Sequence, residues 1–351
     1  MEKLTSPSMF IGVRGDGIIS FGSGQPDLPP PKRVFKMLPR YNDFKYGLVQ
    51  GNQNLRNALT KEFKGTDENN FVITNGASEA LDLAFRVITK PKEKIMLHVP
   101  YYYSYLPLAK KNFLKQVFVS CTDGKIDIDD FEKKIHGCKA VLINSPSNPT
   151  GRIQEIKTLK KIEKITSDLN ITLISDEVYK DLIYERENYM LKGPQVVTVN
   201  SFSKTYSMCG FRVGYAYSND KSIVDGMIEL KTYTSMNTNI LGQEMAYEAL
   251  KEPKSYQSRQ LKIWKERRNL IYQGLCDLGL ELWKPEGAFY VFPKVKNPAK
   301  TLWALYKKYK VITYLGEWFG DKERIRLSYA LDVEKIEEGL KRIGKCLESM
   351  K

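Results

Sequence analysis

Between about residues 71 and 218 the chain alternates short β-rich runs with helical text. Seven runs are predicted as strands, at 71–74, 94–99, 116–120, 140–144, 171–175, 195–199 and 212–217. Several are apolar at consecutive positions rather than at alternate ones, as in strands covered by helices on both faces. The intervening segments, among them 78–87 and 156–169, supply those helices. The pattern predicts an α/β fold, a mostly parallel seven-stranded sheet flanked by helices.

Beyond residue 251 the pattern changes. A long amphipathic helix at 255–278 leads into strands at 288–292 and 324–328. The last helix carries apolar residues at Ile336, Leu340, Ile343 and Leu347, a helical repeat, with Asp332 placed to cap its start. This text predicts a smaller α+β domain. Residues 1–45 are rich in Gly and Pro without a long periodic helix, so they are expected to lie along other elements. The expected division is a large domain at 46–250 and a small domain built from 1–45 and 251–351.

Composition narrows the function classes. Hydrophobic residues make up 42% and charged residues 27% of the 351, as in a soluble globular protein, and no apolar run approaches the ~18 residues of a membrane helix. The first residues, from Met1 to Ser8, lack the apolar core of a secretory signal, which predicts a cytoplasmic protein. Five cysteines are an odd number without paired spacing, and His98 and His136 are the two histidines. Reduced thiols and no zinc site follow. The net charge of +14 is spread over pairs such as Lys133-Lys134, Lys160-Lys161, Arg267-Arg268 and Lys307-Lys308, each in helical text that reads as a solvated face. That dispersal speaks against a nucleic-acid partner, while a positive field suits acidic substrates and a phosphorylated ligand. Gly12, Gly15 and Gly17 have the wrong spacing for a dinucleotide fingerprint, and no strand precedes them.

In open α/β sheets ligands bind beyond the carboxyl ends of the strands. Four such places here carry unusual residues. After the first strand, Asn75-Gly76-Ala77-Ser78 opens a helix whose free amides suit a phosphate, although a plain capped helix reads the same way. After the fourth, Asn144-Ser145-Pro146-Ser147-Asn148-Pro149-Thr150-Gly151 is a rigid polar turn with or without a ligand. After the fifth comes Asp176, an acid costly to bury unless a cation meets it. After the sixth, Lys204 lies among Ser201, Ser203 and Thr205 with Arg212 eight positions on. A lysine so placed suits an imine with a carbonyl cofactor, and the hydroxyls and guanidinium suit its phosphate.

Taken together and in this order, Asn-Pro-Thr-Gly at 148–151, Asp-x-x-Tyr at 176–179 and Ser-x-Ser-Lys at 201–204 resemble the fold type I pyridoxal-phosphate enzymes. The chain is similar to the class I/II aminotransferase family, which includes aspartate and aromatic aminotransferases. The likeness begins at Gly22-Ser23-Gly24-Gln25-Pro26-Asp27, continues through Lys45-Tyr46-Gly47 and Leu55-Arg56, and reaches Gly287-Ala288-Phe289-Tyr290 and Arg324-Ile325-Arg326-Leu327-Ser328.

The resemblance implies pyridoxal 5'-phosphate as cofactor and a role for each matching residue. Lys204 would form the imine and then move the proton between the substrate Cα and the cofactor. Asp176 would pair with the pyridinium nitrogen, and Tyr179 and Asn148 would hydrogen-bond the ring phenolate oxygen. Backbone groups of Ala77 and Ser78, with Ser201 and Arg212, would take the phosphate, and Tyr102 would stack on the ring. Arg326 would clamp the substrate carboxylate with Asn148 and Gly24 beside it. Tyr46 would reach the phosphate of a neighbouring subunit, implying a homodimer.

The implied activity is transfer of an amino group between an amino acid, aspartate or aromatic, and a 2-oxo acid such as 2-oxoglutarate. Cofactor motifs leave open which Cα bond breaks, so a lyase or decarboxylase of the same fold, of the cysteine-sulfur lyase or threonine-phosphate decarboxylase type, is the alternative. A non-enzymatic pyridoxal-phosphate-sensing regulator is the alternative of another class. Two departures stand out. The arm before Ile19 is short, and 232–237 offers no arginine for a side-chain carboxylate, for which Arg186 is a substitute only if its turn is not simply a surface turn.

Overall fold

A computed structural model describes residues 6–350 except Arg14 and Lys64, and the Arg40 side chain also lies outside the description. The N-terminal reading of residues 1–5 therefore falls outside the described residues, as does Arg14 in the glycine-containing stretch. The central sheet has seven strands: β1 (Phe71–Thr74), β2 (Lys94–His98), β3 (Lys115–Val119), β4 (Cys138–Asn144), β5 (Thr172–Asp176), β6 (Val196–Ser201) and β7 (Gly214–Ser218). Their order across the sheet is β1-β7-β6-β5-β4-β2-β3. β7 runs antiparallel to both β1 and β6, and every other neighbouring pair is parallel.

Consecutive apolar residues in these strands serve two cores. Leu97, Leu142, Ile174 and Val197 point to one face, against Leu81, Ala84 and Phe85 of helix α1 (Ala77–Ile88) and Val224 and Met227 of helix α2 (Lys221–Thr232). Met96, Val141, Ile143, Leu173 and Val196 point to the other, against Phe131, Leu159 and Ile162. Each fully buried Leu or Ile contributes roughly 1.5–3 kcal/mol through apolar burial, which is why the runs do not alternate with polar residues.

Segments from both ends of the chain pack around a further core. Ile19–Ser20 pairs in parallel with Val311–Ile312. Tyr290–Val291, Ile325–Ser328 and Tyr314–Leu315 form an antiparallel sheet with Ile325–Ser328 in the middle. Its core joins Ile19 and Phe21 to Trp264, Ile271 and Leu275 of the helix Lys254–Asp277 and to Ile336 and Ile343 of the helix Val333–Glu348. Asp332 caps that last helix, its carboxylate accepting from Lys335 N at 2.8 Å.

Two element boundaries differ from the pattern for a backbone reason. The seventh strand begins at Gly214 rather than Arg212, because Arg212 takes a left-handed conformation (φ 55°) that closes the turn Cys209–Phe211. The strand expected at 288–292 shrinks to Tyr290–Val291, after Ala288 with φ 54°. A short hairpin, Cys121–Thr122 with Lys125–Ile126, and the helix Ile240–Leu250 were not evident in the pattern.

Candidate active site

Beyond the carboxyl ends of β4, β5 and β6 lies a cavity of about 530 Å³. Its lining includes eleven of the twelve site residues read from the sequence: Gly24, Ala77, Ser78, Tyr102, Asn148, Asp176, Tyr179, Ser201, Lys204, Arg212 and Arg326. The twelfth, Tyr46, is 83% exposed and lies outside this lining. Among the described residues the cationic side chains lining it are Lys204, Arg212 and Arg326.

Lys204 sits on a single helical turn, Phe202–Thr205, that follows β6 directly and is capped by Ser201, whose Oγ accepts from Ser203 N at 3.0 Å. Its Nζ donates to the Gly24 carbonyl at 2.5 Å and lies 3.9 Å from Cys209 Sγ. Burial lowers the lysine pKa, and Arg326 and Arg212 push it the same way against the opposing pull of Cys209 and Asp176. The amine is thereby brought closer to its neutral, nucleophilic form.

Asp176 ends β5 and is buried. Burial pushes its carboxyl up to about 6, although Tyr105, the Val178 amide and Lys204 all favour the charged form. Tyr105 donates to one carboxylate oxygen at 2.5 Å and the Val178 N–H to the other at 3.2 Å. A cation arriving in the cavity would complete this partly satisfied acid. Asn144 fixes the strand end by donating from Nδ2 to the Asp176 carbonyl at 3.0 Å. The adjacent Glu177 is also buried, is pushed up to about 7 by burial, and accepts from Ser175 Oγ at 2.7 Å.

At the start of α1, Gly76 occupies the cap position with φ 75° and no side chain caps the helix. The first amides, of Ala77 and Ser78, are left facing the cavity without helical partners. Gly214 makes the cup possible: a Cβ there would lie 2.6 Å from Gly76 C and 2.8 Å from Ala77 N. Arg212 reaches over the turn, donating to Asn75 O at 3.4 Å and Cys209 O at 3.1 Å. Free amides, a helix N-terminus, a serine hydroxyl and a guanidinium make an anion cradle.

Arg326, on the strand Ile325–Ser328, is 1% exposed and lies among the rings of Tyr290, Tyr314 and Phe319, 4.5, 4.7 and 4.9 Å from their centroids. One guanidinium nitrogen donates to Asn148 Oδ1 at 3.0 Å and another to the Gly22 carbonyl. Its Nε has no partner. A buried donor without an acceptor is costly, and an anionic ligand would relieve it. Gly24 is required alongside, since a Cβ would fall 2.1 Å from Tyr290 Oη. Tyr179 and Tyr290 share a hydrogen bond of 2.7 Å.

Several lining residues escaped the sequence reading. Tyr105 has no motif of its own, although it stands three positions after Tyr102 in a tyrosine-rich stretch. Tyr290 was visible as part of Gly287-Ala288-Phe289-Tyr290, but not its contact with Tyr179. Ile11, Tyr103, Cys209 and Tyr314 also line the cavity. Arg186 is absent from that lining and pairs instead with Glu286 at 3.0 Å on a half-exposed turn. All five cysteines are free, and no cluster of metal-ligating residues occurs among the described residues.

Residues 16–343 match the family described as aminotransferase class I and II. The chain is 32% identical to the aspartate aminotransferase of Thermotoga maritima over 355 residues, covering 96% of this chain and 93% of that protein. The solved structure of a Thermotoga maritima aspartate aminotransferase superposes with a TM-score of 0.91 at 30% identity, covering 97% of this chain and 95% of that one. An aromatic aminotransferase from Pyrococcus horikoshii superposes with a TM-score of 0.89 at 28% identity, covering 98% and 99% of the two chains.

Proposed function

The chain belongs to the class I and II aminotransferases, enzymes that move an amino group between an amino acid and a 2-oxo acid, and we propose that it works with pyridoxal 5'-phosphate held around Lys204. The observation that carries this reading is the meeting, in one cavity, of a half-buried lysine, a buried acid, an anion cradle and a buried arginine with a free Nε–H. The donor set fits the cofactor. Ala77, Ser78, Ser201 and Arg212 would hold its phosphate, Asp176 its ring nitrogen, Asn148 and Tyr179 its phenolate oxygen, and Tyr102 its ring face.

When bound, pyridoxal 5'-phosphate supplies an aldehyde that carries the amino group and a ring that accepts the electrons released at the substrate Cα. The protein's own residues do the rest. Arg326 binds the substrate carboxylate through charge-assisted hydrogen bonds and so fixes which bonds at Cα face Lys204. Lys204, with its pKa lowered by burial, would accept the Cα proton and deliver it to the cofactor carbon on the far side of the amino nitrogen. Asp176 in its charged form would keep the ring nitrogen protonated.

Aspartate or an aromatic amino acid, with 2-oxoglutarate as acceptor, is the proposed substrate pair, in keeping with the names of the similar proteins. Ile11, Tyr103 and Tyr314 give the cavity apolar and aromatic walls beside Arg326, which supports an aromatic side chain. We assign the cofactor to residues 46–250 and the small domain to 1–45 with 251–351. The active unit is proposed to be a homodimer, formed through the segment where Phe44, Tyr46 and Leu48 are exposed. No helix among the described residues is long and apolar enough to cross a membrane.

The test is the Lys204→Ala variant. It should take up the cofactor without the visible absorbance of the lysine-linked form and should not exchange amino groups with aspartate, tyrosine or phenylalanine. A variant that keeps the wild-type band would remove Lys204 from its role.

A further inference from the structure

Beside the phosphate cradle lies a charge of the wrong sign. Glu79 is the third residue of α1, directly after Ala77 and Ser78. Its Oε2 accepts from Asn75 N at 2.6 Å and from Asn75 Nδ2 at 3.1 Å. Asn75 in turn offers its carbonyl to Arg212. The carboxylate thus holds the corner from which the cradle is built. An acid beside those amides would nonetheless repel a phosphate dianion.

Lys231, near the end of α2, answers that charge. It is 0% exposed, donates to the same Glu79 oxygen at 2.9 Å, and donates to Ser235 Oγ at 2.8 Å. Burial alone would raise the Glu79 carboxyl, yet Ser235, Asn75 and Lys231 together hold it below its ordinary range, so it stays ionised. A buried ion pair gains little stability over apolar residues of the same size, so stability alone gives no reason for it. We infer that Lys231 is a positioning residue for cofactor binding: it neutralises Glu79 from within the protein, so that the carboxylate shapes the turn without opposing the phosphate. The inference rests on the proposed placement of the cofactor phosphate at Ala77, Ser78 and Arg212.

Full-length protein freed of cofactor is titrated with pyridoxal 5'-phosphate, with pyridoxal, and with inorganic phosphate as competitor. In Lys231→Met, affinity for the two phosphate-bearing ligands should fall by on the order of tenfold while that for pyridoxal changes by less than about threefold, as for an unscreened charge near the anion. Glu79→Gln, which leaves Lys231 in place, should bind both phosphates as tightly as wild type or tighter, and the double variant should return towards wild type. An unchanged ratio of pyridoxal 5'-phosphate to pyridoxal affinity in Lys231→Met overturns the inference. So does a tenfold loss of phosphate affinity in Glu79→Gln, which decides the matter if Lys231→Met does not fold. If wild type shows no preference for pyridoxal 5'-phosphate over pyridoxal, the phosphate site itself is wrong and the inference falls with it.

Discussion

Tyr105 donates its phenolic proton to Asp176 at 2.5 Å inside the core, joining the tyrosine-rich turn after β2 to the acid at the end of β5. The bond favours the charged carboxylate, against burial that pushes its pKa up to about 6. Tyr105→Phe removes the donor and leaves the ring. A hydrogen bond to a charged group contributes roughly 1.5–3 kcal/mol, so the carboxyl should titrate about one unit or more higher. The acid limb of cofactor binding against pH should move upward by that amount. An unmoved limb would show that Tyr105 only fills space.

Asp176→Asn should separate stability from function. The folded-state carboxyl, raised above its unfolded value of about 3.9, binds more protons than the unfolded chain between those two pKa values. Its contribution to stability is therefore present below pH 4, is lost as pH rises through about 6, and stays lost above. Cofactor-free Asp176→Asn should be more stable than wild type at pH 8 by on the order of 3 kcal/mol, with no advantage at pH 4. Denaturant melts at the two pH values read this directly. With the cofactor, the same variant should lose on the order of a hundredfold or more in turnover, because a neutral amide no longer stabilises the protonated ring.

Arg326→Lys tests the carboxylate clamp. Lysine keeps the charge but cannot use the planar fork that now spans Asn148, Gly22 and the unpartnered Nε. KM for the amino acid should rise by on the order of tenfold or more, with cofactor absorbance unchanged. Arg326→Ala should lose about 2–5 kcal/mol of binding, as when one partner of a desolvated charge pair is removed. Half-reaction kinetics that do not change with either variant would exclude Arg326 from the site.

How legible these features were depended on their distance along the chain. Lys204, Ser201 and Arg212 lie within one stretch, and Asp176 and Asn148 follow strands whose apolar runs are unmistakable, so they could be read from local text. The Tyr105–Asp176 bond and the Lys231–Glu79 pair join residues that meet because of the strand order β1-β7-β6-β5-β4-β2-β3 and the packing of α2 on α1, and the Tyr179–Tyr290 bond joins the segment after β5 to the separate three-stranded sheet. No local pattern encodes that order. The late start of β7 had a similar cause, since Arg212 carries β-compatible text yet takes a left-handed turn to bring its guanidinium over Asn75.

Tyr46 provides the test of assembly. It is 83% exposed, beside Phe44 at 86% and Leu48 at 62%, and an exposed apolar run of that size is costly unless a partner covers it. If the partner is a second copy that receives the tyrosine at its own phosphate, Tyr46→Ala should weaken cofactor binding by roughly 1.5–3 kcal/mol, the value of a charge-assisted hydrogen bond. Lys204→Ala should be inactive by itself. Mixed and allowed to exchange, the two variants form hybrid dimers in which one site combines Lys204 from the first chain with Tyr46 from the second. A two-fold dimer then predicts recovery of about a quarter of wild-type activity in an equal mixture, because half the dimers are hybrids and each holds one intact site. A tyrosine acting within its own chain gives no such recovery, since neither variant then contains an intact site, and the mixture would show only the residual activity of Tyr46→Ala.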